Sequence, residues 1–373
     1  MENLISFVIP ARNDNYMGNA NWRLETTINF LAMTLERLGR LKDAEIVIAD
    51  WWSDVPLHSV LSLTEQAKQI TRFILIPITS FENLKFDNNF PTPIVMNLAI
   101  RRSKGTFIMQ TLADVLWDDI SLKRLFNILD GKQKQKILLE KTLFVFNRKE
   151  LQYDMVCQKP SIFFLDKFIK ENRENIPAVP PVPYTYGPSD GIMMHRDLWF
   201  ECHAFDEKYQ LWGWSDSDLL LRIQISNYFL FTCYDEKDMF IYHLNHIPED
   251  QLYKVMKDKK KNPFFFNPLV VNDESWGLAN YSFKEYPPVS VPVNVNNSLP
   301  AKTLKPDKYY KWKHFKCLLI FFMKNIRFRS IVILYYCTKV IFFVYKKDIY
   351  YILEDNKFYS TIRNIKAKMK YKV

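Results

Sequence analysis

The segment ISFVIPARND, residues 5–14, decides the fold prediction, because an apolar run ends there in a turn of polar residues. The apolar part, residues 5–10, predicts a buried β-strand. Two later segments repeat this pattern: EIVIADWWSD at residues 45–54 and TFIMQTLADV at residues 106–115. An aspartate follows closely on each of these apolar runs. The three segments therefore predict buried strands whose ends carry polar side chains.

Helical periodicity separates these strands. Five apolar residues spaced four and three apart predict one face of a helix that ends at Gly39: Leu24, Ile28, Leu31, Leu35 and Leu38. A further strand is predicted over residues 72–78 and a helix over residues 94–103. This alternation predicts an α/β fold, a Rossmann-like and mostly parallel sheet with helices on both faces. In such sheets ligands bind beyond the carboxyl ends of the strands.

Composition excludes several classes of protein. The 373 residues are 48% hydrophobic and 25% charged, which is typical of a folded globular chain. Only 8 are glycine, and neither a dinucleotide-binding nor a P-loop motif occurs, so Rossmann dehydrogenases and P-loop ATPases are disfavoured. The 5 cysteines form no C-x-x-C pair, which favours a reducing compartment. No signal peptide is visible at the start, so we expect a cytoplasmic protein.

The positive charge is confined to the C-terminal region. From residue 302 onward there are 18 Lys or Arg and 4 Asp or Glu, although the whole chain carries only +10. We predict a catalytic domain over 1–286, a proline-bearing linker over 287–306 and a basic, aromatic-rich helical region over 307–373. A basic face opposite an apolar one is typical of an interfacial helix on an anionic membrane. The alternative is a pair of helices packed on the catalytic domain; nucleic-acid binding is disfavoured, since no recognition fold accompanies the charge.

Five motifs between residues 4 and 248 carry a resemblance to a known family. They are PARN at 10–13, Asp50 after the second strand, NLAIRRSKG at 97–105, LAD at 112–114 and GWSDSDL at 213–219. In this order they resemble the nucleotide-sugar-dependent glycosyltransferases of the GT-A fold, especially inverting family 2 and the galactosyltransferase C-terminal-type modules. The chain departs from the family pattern at Leu112, where an Asp is usual, and at Ser215, where a Glu is usual.

The resemblance implies a donor site at the strand ends. The first turn and an acidic residue that takes uracil would bind the nucleotide. The residues themselves add Arg101, whose guanidinium suits a phosphate. The predicted donor residues are Pro10, Ala11, Arg12, Asn13, Asp50, Arg101 and Asp114. From the residues alone, Asp50 is equally an aspartate that begins a turn, and Arg101 a surface charge.

The resemblance also implies a catalytic base, and the neighbouring residues indicate an acceptor site. Asp216, at the start of a helix predicted over 217–226, would take the acceptor proton. Trp212 and Trp214 beside it would form a wall on which a sugar stacks, and Asp190 would face the sugar or the acceptor. The alternative is that Asp216 only caps the helix.

A divalent cation, Mn²⁺ or Mg²⁺, is implied as a screen for the charge of the leaving diphosphate. Asp114 would supply one oxygen ligand, and His243 and His246 are candidates for the others. The alternative for each histidine is a packed or surface residue.

The sequence therefore predicts an inverting glycosyltransferase that uses a nucleotide-sugar, with UDP favoured, and a glycan or lipid-linked acceptor. We expect it on the inner face of the cell membrane, in bacterial capsule or lipopolysaccharide synthesis. A degenerate, non-catalytic GT-A module that acts as a glycan-binding or scaffold subunit is the alternative that Leu112 and Ser215 favour. A sugar nucleotidyltransferase is disfavoured, because its glycine-rich N-terminal signature is missing.

Overall fold

The structure is a computed structural model that describes residues 3–81, 86, 89–132, 137–179, 190–211, 213–226, 229–232, 239–248 and 270–287. The predicted linker beyond residue 287 and the predicted basic region 307–373 lie outside the described residues. No helix among the described residues combines the length and the apolar character that crossing a membrane requires.

Strands and helices alternate through the first half of the chain. The strands are β1 Ile5–Ala11, β2 Ala44–Trp51, β3 Thr71–Ile76, β4 Phe107–Thr111, β5 Val115–Trp117, β6 Thr142–Val145, β7 Asn147–Leu151, β8 Gly191–His195, β9 Phe229–Thr232, β10 Phe240–Leu244 and β11 Lys284–Tyr286. The helices are α1 Ala20–Arg37, α2 Leu57–Val60, α3 Glu65–Ile70, α4 Thr92–Arg102, α5 Asp119–Leu129, α6 Tyr153–Cys157, α7 Ile162–Asn172, α8 Arg196–Glu201 and α9 Ser215–Ile225.

In the part of the chain that the structure describes, eight strands form one mixed sheet in the order β11-β3-β2-β1-β4-β8-β6-β9. The four strands β3, β2, β1 and β4 run parallel. Strand β8 is antiparallel to both β4 and β6, and β9 is parallel to β6, so β4, β6 and β9 share one direction. The prediction of a mostly parallel sheet is confirmed.

Both faces of this sheet are covered by helices. Successive strand residues point to opposite sides, so a strand that is buried throughout, such as β1, places apolar side chains on both faces. Phe7 and Ile9 of β1 join one apolar cluster, which includes the predicted stripe of α1 and side chains of α5. Val8 joins the other cluster, which includes side chains of α4, α8 and α9. Burying one large aliphatic side chain contributes about 1.5–3 kcal/mol, so these two layers supply the main favourable term in folding. The prediction of helices on both faces is confirmed.

Gly105, which follows α4, is required by steric contact with β1. A Cβ on Gly105 would lie 2.6 Å from the backbone N of Ser6, closer than real contacts allow. The Gly105 N–H donates to Ser6 Oγ at 2.7 Å, and Ser6 Oγ donates to Glu45 Oε1 at 2.6 Å. The lack of a side chain therefore lets the end of α4 lie against the start of β1.

A small second sheet lies beside the large one, in the order β5-β10-β7. Strand β10 is antiparallel to β5, with His243 opposite Val115, and parallel to β7, with His243 opposite Glu150. Phe146, between β6 and β7, bonds to the carbonyl of Gly191 in the large sheet. The second sheet therefore begins where the carboxyl ends of the large sheet's strands stop.

Candidate functional site

The carboxyl ends of the parallel strands collect polar groups from distant parts of the sequence. Ala11 at the end of β1 is paired with Asp50 of β2, and Asp114 follows β4, the other neighbour of β1. Because β8 is antiparallel to β4, its first residue, Gly191, pairs with Thr111, and Asp190 lies at this same edge. Open α/β sheets bind ligands at the carboxyl edge, and this edge carries three of the predicted aspartates, Asp50, Asp114 and Asp190.

Three side chains at this edge form a candidate metal site, as predicted. One ligand atom from each of Asp114, His243 and His246 lies within 4.8 Å of the others. Asp114 Oδ2 is 3.7 Å from His243 Nε2 and 3.3 Å from His246 Nδ1. The backbone N–H of Leu244 donates to the carbonyl of Asp114 at 2.8 Å, which holds β10 against the start of β5. Backbone pairing therefore brings together residues that lie more than 120 positions apart.

The three groups of the cluster have pKa values that are shifted in different directions. Burial opposes ionisation of Asp114, but His243, His246 and Arg23 outweigh burial and hold the pKa of Asp114 well below its usual range. Burial also opposes the charged form of His243, yet Asp114 and Glu150 raise the pKa of His243 to about 9. Burial lowers the pKa of His246 to about 4. At neutral pH the site therefore offers an ionised carboxylate and a neutral imidazole, and cation binding would displace a proton from His243.

The residues present fit a divalent cation. Asp114 Oδ1 is buried and has no hydrogen-bond partner among the described residues, although a buried carboxylate oxygen normally has one. A carboxylate with two imidazoles suits a transition metal such as Mn²⁺ better than Mg²⁺, which prefers oxygen ligands.

Sequence reasoning missed the side chains that surround this cluster. Glu150 Oε2 lies 2.7 Å from His243 Nδ1, and Arg148 bridges Glu150 Oε1 and Asp190 Oδ2. Arg23 Nε is 3.9 Å from Asp114 Oδ2. The one available signal was the polar run NRKE at residues 147–150, which is unusual for a strand at the edge of a core.

The donor residues of the first turn are tied to the turn after β2. The backbone N–H of Asn13 donates to Ser53 Oγ at 2.7 Å, and Asn13 Nδ2 donates to the carbonyl of Val55 at 2.8 Å. Asp50 accepts from Ser53 Oγ and from the backbone N–H of Leu57. Burial raises the pKa of Asp50. The aspartate thus holds its own loop, as the turn alternative predicts; its contact with uracil stays a prediction.

Pro10 and Arg12 flank this connection. The pairing of β1 with β4 ends at Val8, two residues before Pro10. The N–H that proline lacks is therefore not needed for the hydrogen bonds between these two strands. Arg12 lies beside Asp14 at 2.5 Å and donates to the carbonyl of Asn89 at 3.2 Å.

Asp216 occupies the second position of α9. The helix begins at Ser215, and its N-cap is Trp214 in a left-handed conformation with φ 71°, so the alternative that Asp216 caps the helix is wrong. Helix α9 leads into β9, and β9 runs in the same direction as β4. The last turn of α9 therefore lies toward the amino ends of the strands, and its first turn lies toward their carboxyl ends. Asp218 ion-pairs with Arg222 at 2.7 Å in a buried setting. Trp212 lies outside the described residues.

The placement of Arg101 argues against the predicted donor contact. Arg101 lies in the last turn of α4, which precedes β4, so it is near the amino ends of the strands and remote from Asp114. It is 2% exposed, donates to the carbonyl of Trp276 at 3.0 Å and stacks over that ring at 4.6 Å. The neighbouring Arg102 donates to the carbonyls of Gly277 and Leu278. The two arginines therefore fasten the segment 276–281 to α4.

Comparisons with known proteins give matches only among solved structures. No protein-family model and no curated protein matches the chain. S. aureus TarS 1-349 matches with 13% identity and a TM-score of 0.40 over 65% of this chain and 60% of that chain. The same TarS fragment in complex with UDP matches with 14% identity and a TM-score of 0.39 over 69% and 64%.

A mutant of Drosophila β1,4-galactosyltransferase 7, in complex with manganese, UDP-Gal and xylobiose, matches with 11% identity and a TM-score of 0.35 over 70% of this chain and 76% of that chain. Of the TarS 1-349 fragment, this chain spans about three fifths. These solved structures are GT-A glycosyltransferases, the class that the sequence resembles.

Proposed function

We propose that the chain is an inverting GT-A glycosyltransferase that moves a sugar from a nucleotide-sugar, in the first place a UDP-sugar, to a hydroxyl group of a glycan or lipid-linked acceptor. One observation carries the proposal. Asp114, His243 and His246 converge within 4.8 Å at the edge where β1, β2 and β4 end. This is the edge at which open α/β sheets bind ligands.

One group of residues would bind the donor, and another would line the acceptor side. Asp114, His243 and His246 would hold a divalent cation, with Mn²⁺ favoured, which supplies positive charge for the departing diphosphate. The turn of Ala11, Arg12 and Asn13 and the Asp50 loop would bind the nucleoside, since they are joined to one another at the same edge. Asp190 would line the acceptor side.

Asp216 would act as the base. Its carboxylate takes the proton of the acceptor hydroxyl while that oxygen bonds to the anomeric carbon and the bond from this carbon to the diphosphate oxygen breaks. Helix α9 starts toward the carboxyl edge and fixes the carboxylate on a rigid element. Trp214, the N-cap beside it, and Trp212 would provide the surface on which the acceptor sugar stacks.

Membrane attachment and pathway belong to the same proposal. The excess of Lys and Arg after residue 302, interleaved with aromatic and aliphatic residues, would bind an anionic membrane from the cytoplasmic side. An acceptor anchored there fits the assembly of a surface polysaccharide such as capsule or lipopolysaccharide. No nucleic-acid partner is proposed.

Release of UDP from a panel of UDP-sugars, with and without Mn²⁺, tests the chemistry. Wild type should turn over in Mn²⁺, Asp216→Asn should lose about 10²–10⁴-fold in rate while still binding UDP, and Asp114→Asn should lose its response to Mn²⁺. Asp197→Asn, an exposed carboxylate on α8, is the matched control and should behave as wild type. Background turnover in wild type and Asp216→Asn alike would favour the non-catalytic module.

A thermal-shift screen against UDP-, GDP-, CMP- and dTDP-linked sugars tests the nucleotide, because a ligand that binds only the folded state raises its unfolding temperature. We expect the largest shift with a UDP-sugar; a larger shift with another base would refute the preference for UDP.

Sedimentation with anionic vesicles tests the membrane proposal. A chain ending at Pro300 should lose the binding that the full chain shows. Equal sedimentation of both chains would contradict the proposal.

A further inference from the structure

We propose that Glu150 is a positioning residue that fixes which ring nitrogen of His243 is presented to a divalent cation. The inference rests on the proposed function only in assuming that Asp114, His243 and His246 hold such a cation. Glu150 itself lies outside the cluster and was not among the residues that the sequence singled out.

The geometry of the two strands supports this role. His243 of β10 and Glu150 of β7 are direct partners in the parallel pairing. Glu150 Oε2 lies 2.7 Å from His243 Nδ1, and His243 Nε2 lies 3.7 Å from Asp114 Oδ2. An ionised carboxylate can only accept a hydrogen bond, so Nδ1 carries the proton. Nε2 faces Asp114 in the cluster, so when a cation displaces the second proton the lone pair of Nε2 is presented to that cation.

Arg148 keeps Glu150 in this position. Its guanidinium donates to Glu150 Oε1 with one nitrogen and to Asp190 Oδ2 with another. Both oxygens of Glu150 therefore have partners, one in Arg148 and one in His243. A carboxylate held in this way orients the neighbouring imidazole and does not compete with it for the cation.

The expected consequence is tighter cation binding without a direct bond. Partners of this kind, which hold a ligating histidine by its second nitrogen, typically change metal affinity by about 10–100-fold when they are removed. Without Glu150 the His243 ring could turn or bind through either nitrogen.

The experiment titrates full-length protein with MnCl₂ and follows free Mn²⁺ by electron paramagnetic resonance. Wild type should bind one Mn²⁺, and Glu150→Ala should bind it about 10–100-fold more weakly. Glu150→Gln keeps an oxygen that can accept from Nδ1–H, so its loss should be smaller than that of Glu150→Ala. Asp197→Ala removes the carboxylate that lies 3.7 Å from His195 Nδ1, away from the cluster, and should leave Mn²⁺ affinity unchanged.

Thermal unfolding without metal separates positioning from a general structural effect. If Glu150 only supports the fold, its variants lower the unfolding temperature of the metal-free protein and bind Mn²⁺ as wild type does, which overturns the inference. If wild type binds no Mn²⁺, or if Asp114→Asn binds it equally well, the proposed metal site itself fails and the role of Glu150 fails with it. Weaker Mn²⁺ binding in Glu150→Ala, partly restored in Glu150→Gln, supports the inference.

Discussion

Arg148→Met tests whether the guanidinium of Arg148 stabilises the two carboxylates beside the candidate metal site. Arg148 lies between Asp190 at the start of β8 and Glu150 of β7 and donates to both. These two carboxylates raise the pKa of the guanidinium against the opposing effect of burial. Methionine keeps most of the volume of the side chain but removes the charge, so the variant removes the ion pairs that Arg148 makes with both carboxylates.

The exposed fractions set the expected size of the effect. The side chain of Asp190 is 6% exposed, that of Glu150 25% and that of Arg148 22%. Breaking a fully buried pair costs about 3–5 kcal/mol, because a charge is left without compensation. Since water reaches about a fifth of Arg148, we expect the free energy of unfolding to fall by about 2–3 kcal/mol at pH 7. In the Asp190→Asn background the same change should cost about 1–2 kcal/mol less.

Urea unfolding of the four proteins of this double-mutant cycle gives the coupling free energy. Burial raises the pKa of Glu150, but its bonds to His243 and Arg148 outweigh burial and lower it, so the cost of Arg148→Met should shrink as the pH falls through that pKa. Lys132→Met, which removes an exposed cation beside Asp130, is the matched control and should change stability by less than about 0.5 kcal/mol. Effects of Arg148→Met and Asp190→Asn that add within about 0.5 kcal/mol would refute the reasoning.

Three further predictions concern the helix layers and the cluster. Gly277 has φ +62°, and a Cβ there would lie 2.7 Å from the carbonyl oxygen of Asn97, so Gly277→Ala should destabilise the chain by about 2–4 kcal/mol in urea unfolding; an unchanged midpoint would show that this packing is not required. Burial raises the pKa of Asp166, but its ion pair with Arg37 at 2.8 Å outweighs burial and lowers it. Its stabilisation is therefore present above the unfolded pKa and lost as the pH falls through the folded pKa, so Asp166→Asn should cost about 1 kcal/mol at pH 7 and nothing in strong acid; a cost independent of pH would contradict the ion pair. Asp114→Asn should abolish the rise in unfolding temperature that Mn²⁺ causes in wild type, measured by calorimetry; an undiminished rise would place the cation elsewhere.

The elements with strong local periodicity were predictable from the sequence. Strand β1 is a short apolar run and helix α1 has apolar residues spaced four and three apart, and such local patterns do not depend on the rest of the chain. Asp114 was predictable for a related reason, since it follows an apolar strand and such ends meet at one edge. His243 and His246 followed from their position after the apolar run of residues 239–242.

The contacts that complete the site were not predictable, because they depend on pairing between distant strands. Glu150 reaches His243 across 93 positions only because β7 lies beside β10. Arg101 looked like an exposed charge at a helix end, and its burial is caused by a segment that arrives 175 positions later. The start of α9 was placed too late, since Trp214 caps it through a left-handed backbone conformation that sequence preferences for caps do not foresee.

Anomalous diffraction at the manganese edge, from crystals soaked with MnCl₂ and UDP, tests the central claim most directly. The account predicts one strong peak about 2.2 Å from a carboxylate oxygen of Asp114 and from a ring nitrogen of each of His243 and His246, beside the diphosphate. A peak at another position, or UDP bound with no peak near Asp114, would contradict it.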